Sequence, residues 1–510
     1  MLAHVTTAAL RGVDGYPVRV EVALTSGLPC FTVVGLAESA VREGRERVVA
    51  ALRSTGFALP PRRITVNLAP ADVRKEGSAL DLPIALGVLA AAGHLDPARL
   101  EGTAFLGELG LDGHLRPVRG VLAVASHCAA VGLRSLVVPT ANGSEAAVAA
   151  GLTVYGADAL SQVCAHLADG PTLDPVTVDA PALLRPDGAA GPDLADVAGQ
   201  AGAKRALEIA AAGGHNILLI GPPGSGKTML ARRLPGILPP LGLDEAIEVT
   251  RVHSVAGRLG AGSALVRRRP FRAPHHTVSG AGLVGGGTPL TPGEVSLAHH
   301  GVLFLDELPE FRRGVLEALR QPLEEGRVHL SRARGSVRFP ARFLLAAAMN
   351  PCPCGYHGDG TDRCLCDPSV VGRYRARVSG PLLDRIDLHV EVPAVPFSDL
   401  SRQQRGEPSS RVAARVAAAR TVQGQRYAGL PGVRANAHLA PGGHGRRNRP
   451  PPAVVAVLQR AVDGLGLSAR AYHRILRVAR TIADLEGADD VDPGAVLEAV
   501  QYRVVDRRVA

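Results

Sequence analysis

The chain has 510 residues, of which 46% are apolar, and no apolar run is long enough to span a bilayer. A cytoplasmic protein of about three domains is therefore expected. The net charge of +10 favours a polyanionic partner such as nucleic acid, whereas the absence of tryptophan argues against base stacking and favours phosphate contacts.

The N-terminal third has an α+β pattern. Short strand-like runs such as VRVEVAL and RITVNLA alternate with Ala-rich helical stretches over residues 1–172. Residues 173–192 are rich in Pro, Asp and Gly and have little periodicity, which predicts a linker. Cys30, Cys128 and Cys164 stand alone and are predicted to lie in the core.

The middle of the chain, residues 193–393, has the pattern of an α/β domain. The runs NILLI, GVLFL and FLLAAA are continuously apolar and recur between helices, which favours a parallel sheet covered on both faces. Residues 394–510 begin loosely and then become helical, with apolar residues at helical spacing from Ile475 to Ile482. Asp492-Pro493 marks a further helix start. A C-terminal helical domain is predicted.

A phosphate-binding loop follows NILLI. The chain has only three lysines against 54 arginines, and Lys227 lies in this loop because a compact ammonium fits a phosphate pocket where a guanidinium is too bulky. Backbone N–H groups and the following helix N-terminus would hold the phosphates of ATP. The predicted nucleotide-binding residues are Gly221, Pro222, Pro223, Gly224, Ser225, Gly226, Lys227 and Thr228, and the Thr228 hydroxyl would also bind Mg²⁺.

Three further positions fit ATP hydrolysis. GVLFLDEL ends in Asp306, predicted to bind Mg²⁺, and Glu307, predicted to orient and deprotonate the attacking water. Asn350, after FLLAAAM, is a weaker candidate for positioning that water. Arg385, in SGPLLDRID, is either a surface ion-pair residue or an arginine finger for a neighbouring subunit's ATP. Arg470, at a helix start, is predicted to point back towards the γ-phosphate.

A cysteine cluster follows Asn350. Two C-x-C pairs separated by nine residues provide four thiolates, which would suit a tetrahedral structural Zn²⁺ without an open catalytic position. An iron–sulfur cluster, a redox pair or simply buried thiols remain alternatives, because C-x-C is tighter than the usual C-x₂-C spacing. The four residues are Cys352, Cys354, Cys364 and Cys366.

An arginine-rich hairpin is predicted over residues 327–339. Two alternating runs flank Arg334-Gly335, and no carboxylate lies between Arg327 and Arg338. Arg332, Arg334 and Arg338 are candidates for DNA phosphate contacts. The alternative is an exposed hairpin kept soluble by its arginines.

Long strings resemble the magnesium-chelatase-like ComM/YifB family of AAA+ ATPases over essentially the whole chain. They are RPFRAPHHTVSGAGLVGGG, PGEVSLAHHGVLFLDELPEF and MNPCPCG. The resemblance implies a ring, a homo-hexamer, with ATP between subunits. It assigns Asp306 and Glu307 to the Walker B site, Asn350 to sensor 1, Arg385 to the arginine finger and Arg470 to sensor 2.

The same resemblance implies a motor on single-stranded or branched DNA. ComM proteins are similar to helicases that migrate branched DNA during natural transformation. A chelatase ATPase subunit and a protein remodeller remain the alternatives.

The N-terminal domain resembles the proteolytic domain of Lon, through RKEGSALDLPIAL and GELGLDGHLRPVRGVLAVAS. Lon-type hydrolysis needs a serine–lysine dyad. The nucleophile position falls on Ala79, next to Ser78, and the lysine position falls near Val124. Unless Lys75 serves instead, the resemblance implies a domain that is inactive as a protease.

Overall fold

The computed structural model describes residues 1–36, 39–73, 75, 77–168, 170–185, 191–260, 262–332, 335–360, 362–396, 405–440, 451–466 and 468–509. Among these residues, no helix has both the length and the apolar character needed to cross a bilayer.

The N-terminal part contains one mixed seven-stranded sheet. Its strands, with a small β6–β7 hairpin beside them, are β1 Leu2–Arg11, β2 Asp14–Thr25, β3 Cys30–Val34, β4 Arg63–Ala69, β5 Thr103–Phe105, β6 Glu108–Leu109, β7 Leu115–Arg116, β8 Ser135–Pro139 and β9 Thr153–Ala157. The sheet order is β3-β4-β2-β1-β5-β8-β9. The helices are α1 Ser39–Ser54, α2 Asp81–Ala92, α3 Val121–Ala130, α4 Thr140–Ala146, α5 Leu160–Leu167 and α6 Ala180–Leu183.

The predicted strands of this part are confirmed, because VRVEVAL lies in β2 and RITVNLA forms β4. Val18, Val20 and Val22 alternate into the core, as the period of two requires. The prediction that Cys30 is a core residue is wrong: Cys30 is exposed. It begins β3, an edge strand whose side chains are only partly covered.

The middle part is built on a five-stranded parallel sheet of order β11-β14-β17-β10-β18. The strands of this part are β10 Ile217–Ile220, β11 Phe271–Arg272, β12 Gly285–Gly286, β13 Thr291–Pro292, β14 Val302–Leu305, β15 Arg327–Arg332, β16 Gly335–Pro340, β17 Leu344–Met349 and β18 Leu388–Glu391. The helices are α7 Ala201–Gly213, α8 Lys227–Ala231, α9 Leu234–Ile237, α10 Leu243–Val255, α11 Gly280–Val284, α12 Glu294–Leu297, α13 Arg313–Glu317, α14 Arg320–Glu325, α15 Pro368–Arg375 and α16 Gly380–Leu383.

Both faces of this sheet are covered, which confirms the prediction from the continuous apolar runs. In β10, Ile217 and Leu219 join one hydrophobic cluster, whereas Leu218 and Ile220 join the cluster on the opposite face. The α/β class with a parallel sheet therefore follows from the strand composition.

The C-terminal part is helical, with α17 Ser409–Arg426, α18 Pro452–Leu465, α19 Ala469–Leu485 and α20 Pro493–Val509. Ile475, Leu476 and Ile482 of α19 are buried against the central sheet's helices. Asp492 caps α20 by accepting a hydrogen bond from the Ala495 N–H at 2.7 Å. The predicted helix start is confirmed.

The N-terminal and middle parts share packing. In the segment predicted to be a linker, the Val176 N–H donates to the Val154 carbonyl at 2.8 Å. Helix α6 of this segment packs on the hydrophobic cluster that contains Val154. Ser254 of α10 donates to the Glu145 carboxylate at 2.5 Å and accepts from the Gly120 N–H at 2.8 Å. Apolar residues within the Pro-rich segment explain why part of it is packed.

Candidate nucleotide site

The predicted phosphate-binding loop connects β10 to α8 at the carboxyl edge of the parallel sheet, where ligands of such sheets bind. Gly224 and Gly226 have positive φ angles of 76° and 93°. At Gly221 an added Cβ would lie 2.0 Å from the Val392 carbonyl oxygen, so a side chain would push the loop off the sheet. Glycine is therefore required by both conformation and space.

Lys227 is buried beneath this loop. Its Nζ donates to the carbonyls of Gly221 and Pro222 at 2.7 and 2.8 Å, and to Asn350 Oδ1 at 3.2 Å. Burial lowers the pKa of the Lys227 ammonium, and the Asp306 carboxylate opposes that shift. The fold thus brings the loop lysine and the amide at the end of β17 together.

The two predicted Mg²⁺ ligands are also adjacent. Thr228 Oγ1 donates to Asp306 Oδ2 at 2.6 Å. Because β17 lies between β10 and β14 in the sheet, their ends meet only in the folded chain.

Glu307 leaves the strand with φ +52°, in the left-handed region that few non-glycine residues adopt. Its carboxylate Oε2 lies 3.4 Å from His276 Nδ1, and its side chain is 57% exposed. The His275 and His276 rings lie with centroids 4.0 Å apart and their planes tilted by 35°. His276 is therefore a neighbour of the predicted general base.

Gln200 is a site residue that the sequence analysis missed. Its Nε2 donates to the carbonyls of Ser225 and Pro393 at 3.1 and 2.7 Å, tying the loop to the chain after β18. A cavity of about 300 Å³ lies beside it, lined by Gln200, Ala201, Gly202, Ala203, Glu391, Pro393, Ala394, Val395 and Pro396. The only signal was a polar residue directly before α7.

Arg385 and Arg470 line a second cavity, of about 760 Å³. Asn216, Gly301 and Leu344 also line it, and these residues precede or begin strands, so the cavity lies at the amino edge of the sheet. No residue of the 221–228 loop lines it. Within one chain, neither arginine reaches the phosphate-binding loop.

Eight arginines and five carboxylates line this second cavity, so its lining is positive overall. Arg385 is buried, and its guanidinium contacts Glu324 and donates to the Pro381 carbonyl at 2.5 Å. In the part of the chain that the structure describes, Arg385 Nε and Arg474 Nη1 are buried without a hydrogen-bond partner. Such donors favour an anion.

The four clustered cysteines converge. Their ligand atoms all lie within 4.8 Å of one another. The Cys352 sulfur lies 3.2 Å from that of Cys354 and 3.8 Å from that of Cys364, and the Cys354 and Cys364 sulfurs are 3.7 Å apart. A hydrogen bond from the Tyr356 backbone N–H is the main cause that lowers the pKa of the Cys354 thiol to about 6.

Glu248, His299 and His300 form a second group with metal-ligand atoms close together. Both histidine Nε2 atoms lie within hydrogen-bond distance of Glu248 Oε2, at 2.9 and 2.8 Å. His299 Nδ1 accepts the Arg342 N–H at 3.0 Å, so the neutral ring carries its proton on Nε2 and donates it to the carboxylate. Burial is the main cause that lowers the pKa of His299 to about 4. These three side chains thus form a hydrogen-bonded network.

The predicted hairpin is confirmed as β15 paired with β16. Arg338 is exposed, whereas Phe339 beside it is fully buried. Arg334 and the side chain of Arg332 lie outside the described residues.

The two positions that align with the Lon serine and lysine lie in an apolar environment. Ala79 and Val124 pack in one hydrophobic cluster. Lys75 donates to the Pro70 carbonyl and Ser78 to Glu108, so the two side chains have different partners. Neither contact resembles a serine–lysine dyad.

Sequence comparison relates the chain to known proteins along its whole length. The family described as "Magnesium chelatase, subunit ChlI" matches residues 193–400. "Subunit ChlI of Mg-chelatase" matches residues 20–142, and "Magnesium chelatase, subunit ChlI C-terminal" matches residues 406–503.

Individual relatives are similar over nearly their full length. YifB of Salmonella typhimurium is 46% identical over 514 residues, covering 99% of this chain and 98% of the relative. The competence protein ComM of Haemophilus influenzae is 46% identical over 509 residues, with the same coverage. A Mycobacterium tuberculosis protein is 44% identical over 508 residues, covering 99% of both chains.

Proposed function

Because the chain belongs to the ComM/YifB family of magnesium-chelatase-like AAA+ proteins, we propose that it is an ATP-driven motor that acts on DNA. The reaction is ATP hydrolysis, and the work is translocation along single-stranded or branched DNA, with branch migration as the leading activity.

One observation carries the ATPase proposal. Thr228 Oγ1 contacts Asp306 at 2.6 Å and Lys227 Nζ contacts Asn350 at 3.2 Å, at the carboxyl edge of the sheet. These are the four groups that the chemistry of a Mg²⁺-dependent nucleotide site requires there. When bound, Mg²⁺ would be held by Thr228 and Asp306 and would neutralise charge on the phosphates.

The chain's own residues have distinct tasks in this proposal. Lys227 exchanges its carbonyl contacts for phosphate oxygens, and the loop N–H groups hold the remaining charge. Glu307 turns from His276 towards the site and accepts a proton from water, while Asn350 orients that water. We propose that the base of ATP enters the cavity beside Gln200.

The positions of Arg385 and Arg470 favour a ring of identical subunits. Both arginines lie at the amino edge of their own sheet, away from their own phosphate-binding loop. Buried donors without partners at this edge suit the phosphates of ATP held by the next subunit. The assembly that we propose is the homo-hexamer that the family resemblance implies, with these arginines as finger and sensor 2.

DNA is the proposed track for two reasons. The relative from Haemophilus influenzae is named a competence protein. The chain also has net charge +10, and Arg338 is exposed on a hairpin without carboxylates. Arginines that bind the DNA backbone would give an affinity that falls with salt.

A structural Zn²⁺ at the four cysteines completes the proposal. Tetrahedral Zn–S bonds of about 2.3 Å place sulfurs about 3.8 Å apart. Two of the three sulfur separations given above, 3.8 and 3.7 Å, fit this arrangement, whereas the 3.2 Å between Cys352 and Cys354 is shorter. No open position for chemistry would remain at the metal.

ATPase assays with purified protein test the function. We expect forked or single-stranded DNA to stimulate turnover and branched DNA to be remodelled. Stimulation by porphyrin-binding partner proteins instead would favour a chelatase subunit. Stimulation by unfolded protein would favour a protein remodeller. Absence of DNA binding even at low salt would overturn the DNA proposal.

A further inference from the structure

The cysteine loop lies directly against the phosphate-binding loop. Gly355, between the second and third cysteines, is buried, and an added Cβ would lie 2.5 Å from Pro223 Cδ and 2.7 Å from Pro223 Cγ. Pro223 belongs to the predicted nucleotide site. The cysteine loop therefore forms one wall of the phosphate-binding loop, a contact that no sequence motif indicates.

The other end of this loop is tied to the nucleotide site through β17. Cys352 is fully buried and follows Asn350 by two residues. Between them, the Pro351 carbonyl accepts a hydrogen bond from Arg375 Nε at 3.1 Å. Asn350 in turn contacts Lys227. Two routes, through Asn350 and through Gly355, thus connect the thiols to the residues around the phosphates.

The cysteine loop is held by side-chain contacts and turns rather than by regular secondary structure. Among the residues described between 350 and 367, none belongs to a helix or strand. Arg363 pairs with Asp359 at 2.8 Å and lies over the Tyr356 ring at 4.4 Å. The Arg363 side chain is 56% exposed and the Asp359 side chain 4% exposed, so this pair is half-buried and helps to hold the loop. A metal bound by the four thiolates would add a second fixed point.

We propose that Cys352, Cys354, Cys364 and Cys366 bind a Zn²⁺ ion whose presence sets the affinity for ATP, because it presses Gly355 against Pro223. This inference rests on the proposed nucleotide site. Zinc binding by four thiolates releases protons and involves no change of oxidation state. Loss of the metal releases the cysteine loop, and the phosphate-binding loop then loses its packing against Gly355.

Metal analysis of the purified full chain is the first test. Inductively coupled plasma mass spectrometry should find about one zinc ion per chain, as a four-thiolate site requires. Iron with sulfide, or a metal-free protein that binds no added Zn²⁺, would overturn the proposal.

The Cys364→Ser chain should lose zinc and bind a fluorescent ATP analogue at least about tenfold more weakly than the wild type. Cys30→Ser, at an exposed thiol of β3, is the control and should change neither value.

A pair of glycine variants tests the coupling while leaving all four thiols intact. Gly355 and Gly358 both have positive φ, 88° and 77°, but only Gly355 has a neighbour that a Cβ would strike. Gly355→Ala should keep its zinc but bind the ATP analogue about tenfold more weakly. Gly358→Ala should keep its zinc and bind the analogue with the affinity of the wild type. Equal ATP affinity of these two variants would overturn the coupling even if zinc is present.

The outcomes separate this inference from the proposed function. If wild-type, zinc-loaded protein does not bind ATP, the proposed nucleotide site is wrong. If it binds ATP and zinc removal by a chelator leaves that affinity unchanged, only the coupling fails. If affinity falls on removal and returns with added Zn²⁺, the inference is supported.

Discussion

Gly12, in the turn between β1 and β2, lies against Val337 of the arginine hairpin: a Cβ at Gly12 would be 2.5 Å from Val337 Cγ1. Val13 packs with the buried Phe339 of the same hairpin. Arg251 of α10 holds the turn by donating to the Val13 carbonyl at 2.8 Å and the Asp14 carboxylate at 2.6 Å. The N-terminal part therefore supports the strand that carries Arg338.

This contact predicts that Gly12→Ala destabilises the protein more than Gly56→Ala. Both glycines have positive φ, 67° and 86°, so the backbone cost is shared, but only Gly12 has a close neighbour. The steric overlap should cost about 1–3 kcal/mol, measured by chemical denaturation. DNA-stimulated ATPase should fall as well, since the hairpin is displaced. Equal stability of the two variants would contradict the supporting contact.

Lys227→Ala should abolish ATP binding, measured with a fluorescent nucleotide. Lys227→Arg is the sharper variant, because it keeps the charge but places a larger planar group where Lys227 is buried between two carbonyls. We expect it to fail as well. Wild-type affinity in Lys227→Arg would show that charge alone, rather than a compact ammonium, is required.

Glu307→Gln should bind ATP normally but hydrolyse it about 10²–10⁴-fold more slowly, since the amide cannot accept the proton of water. Glu310→Gln is the matched control, because Glu310 is exposed and pairs with Arg377 instead. Single-turnover ATP hydrolysis separates binding from chemistry. Normal turnover by Glu307→Gln would remove Glu307 from its proposed role.

Arg385→Ala tests whether the site is completed by another subunit. Arg385→Ala chains retain an intact phosphate-binding loop, and Lys227→Ala chains retain Arg385. If Arg385 acts on the neighbouring subunit's ATP, a mixture of the two inactive proteins should recover ATPase activity that neither has alone. Arg373→Ala, at an exposed arginine of α15, should be active by itself. No recovery on mixing would argue for a role within one chain.

Arg338→Ala should weaken DNA binding and make it less dependent on salt. Each lost phosphate contact lowers the slope of log affinity against log salt by about 0.7–0.9. Basal ATPase should remain unchanged because Arg338 belongs to the hairpin and is not one of the residues proposed to bind or hydrolyse ATP. Arg62→Ala, at an exposed arginine in the N-terminal part, is the control. An unchanged slope would count against a contact between this hairpin and DNA.

Contiguous features could be read from the sequence. The runs before Gly221, Asp306 and Asn350 are strands because each is continuously apolar, and the arginine hairpin follows from alternation around a turn. Residue type alone does not predict burial at the edge of a sheet. Cys30 is exposed because β3 is the last strand of its sheet.

Which of these segments meet depends on the packing of the whole chain. Thr228 reaches Asp306, 78 residues away, because the strand order places β10, β17 and β14 side by side. The same order puts Arg385 at the opposite edge from the phosphate-binding loop, and it brings Gly355 against Pro223. Residue types and short spacings fix local conformation and chemistry, whereas contacts between distant segments depend on packing that no short stretch of sequence contains.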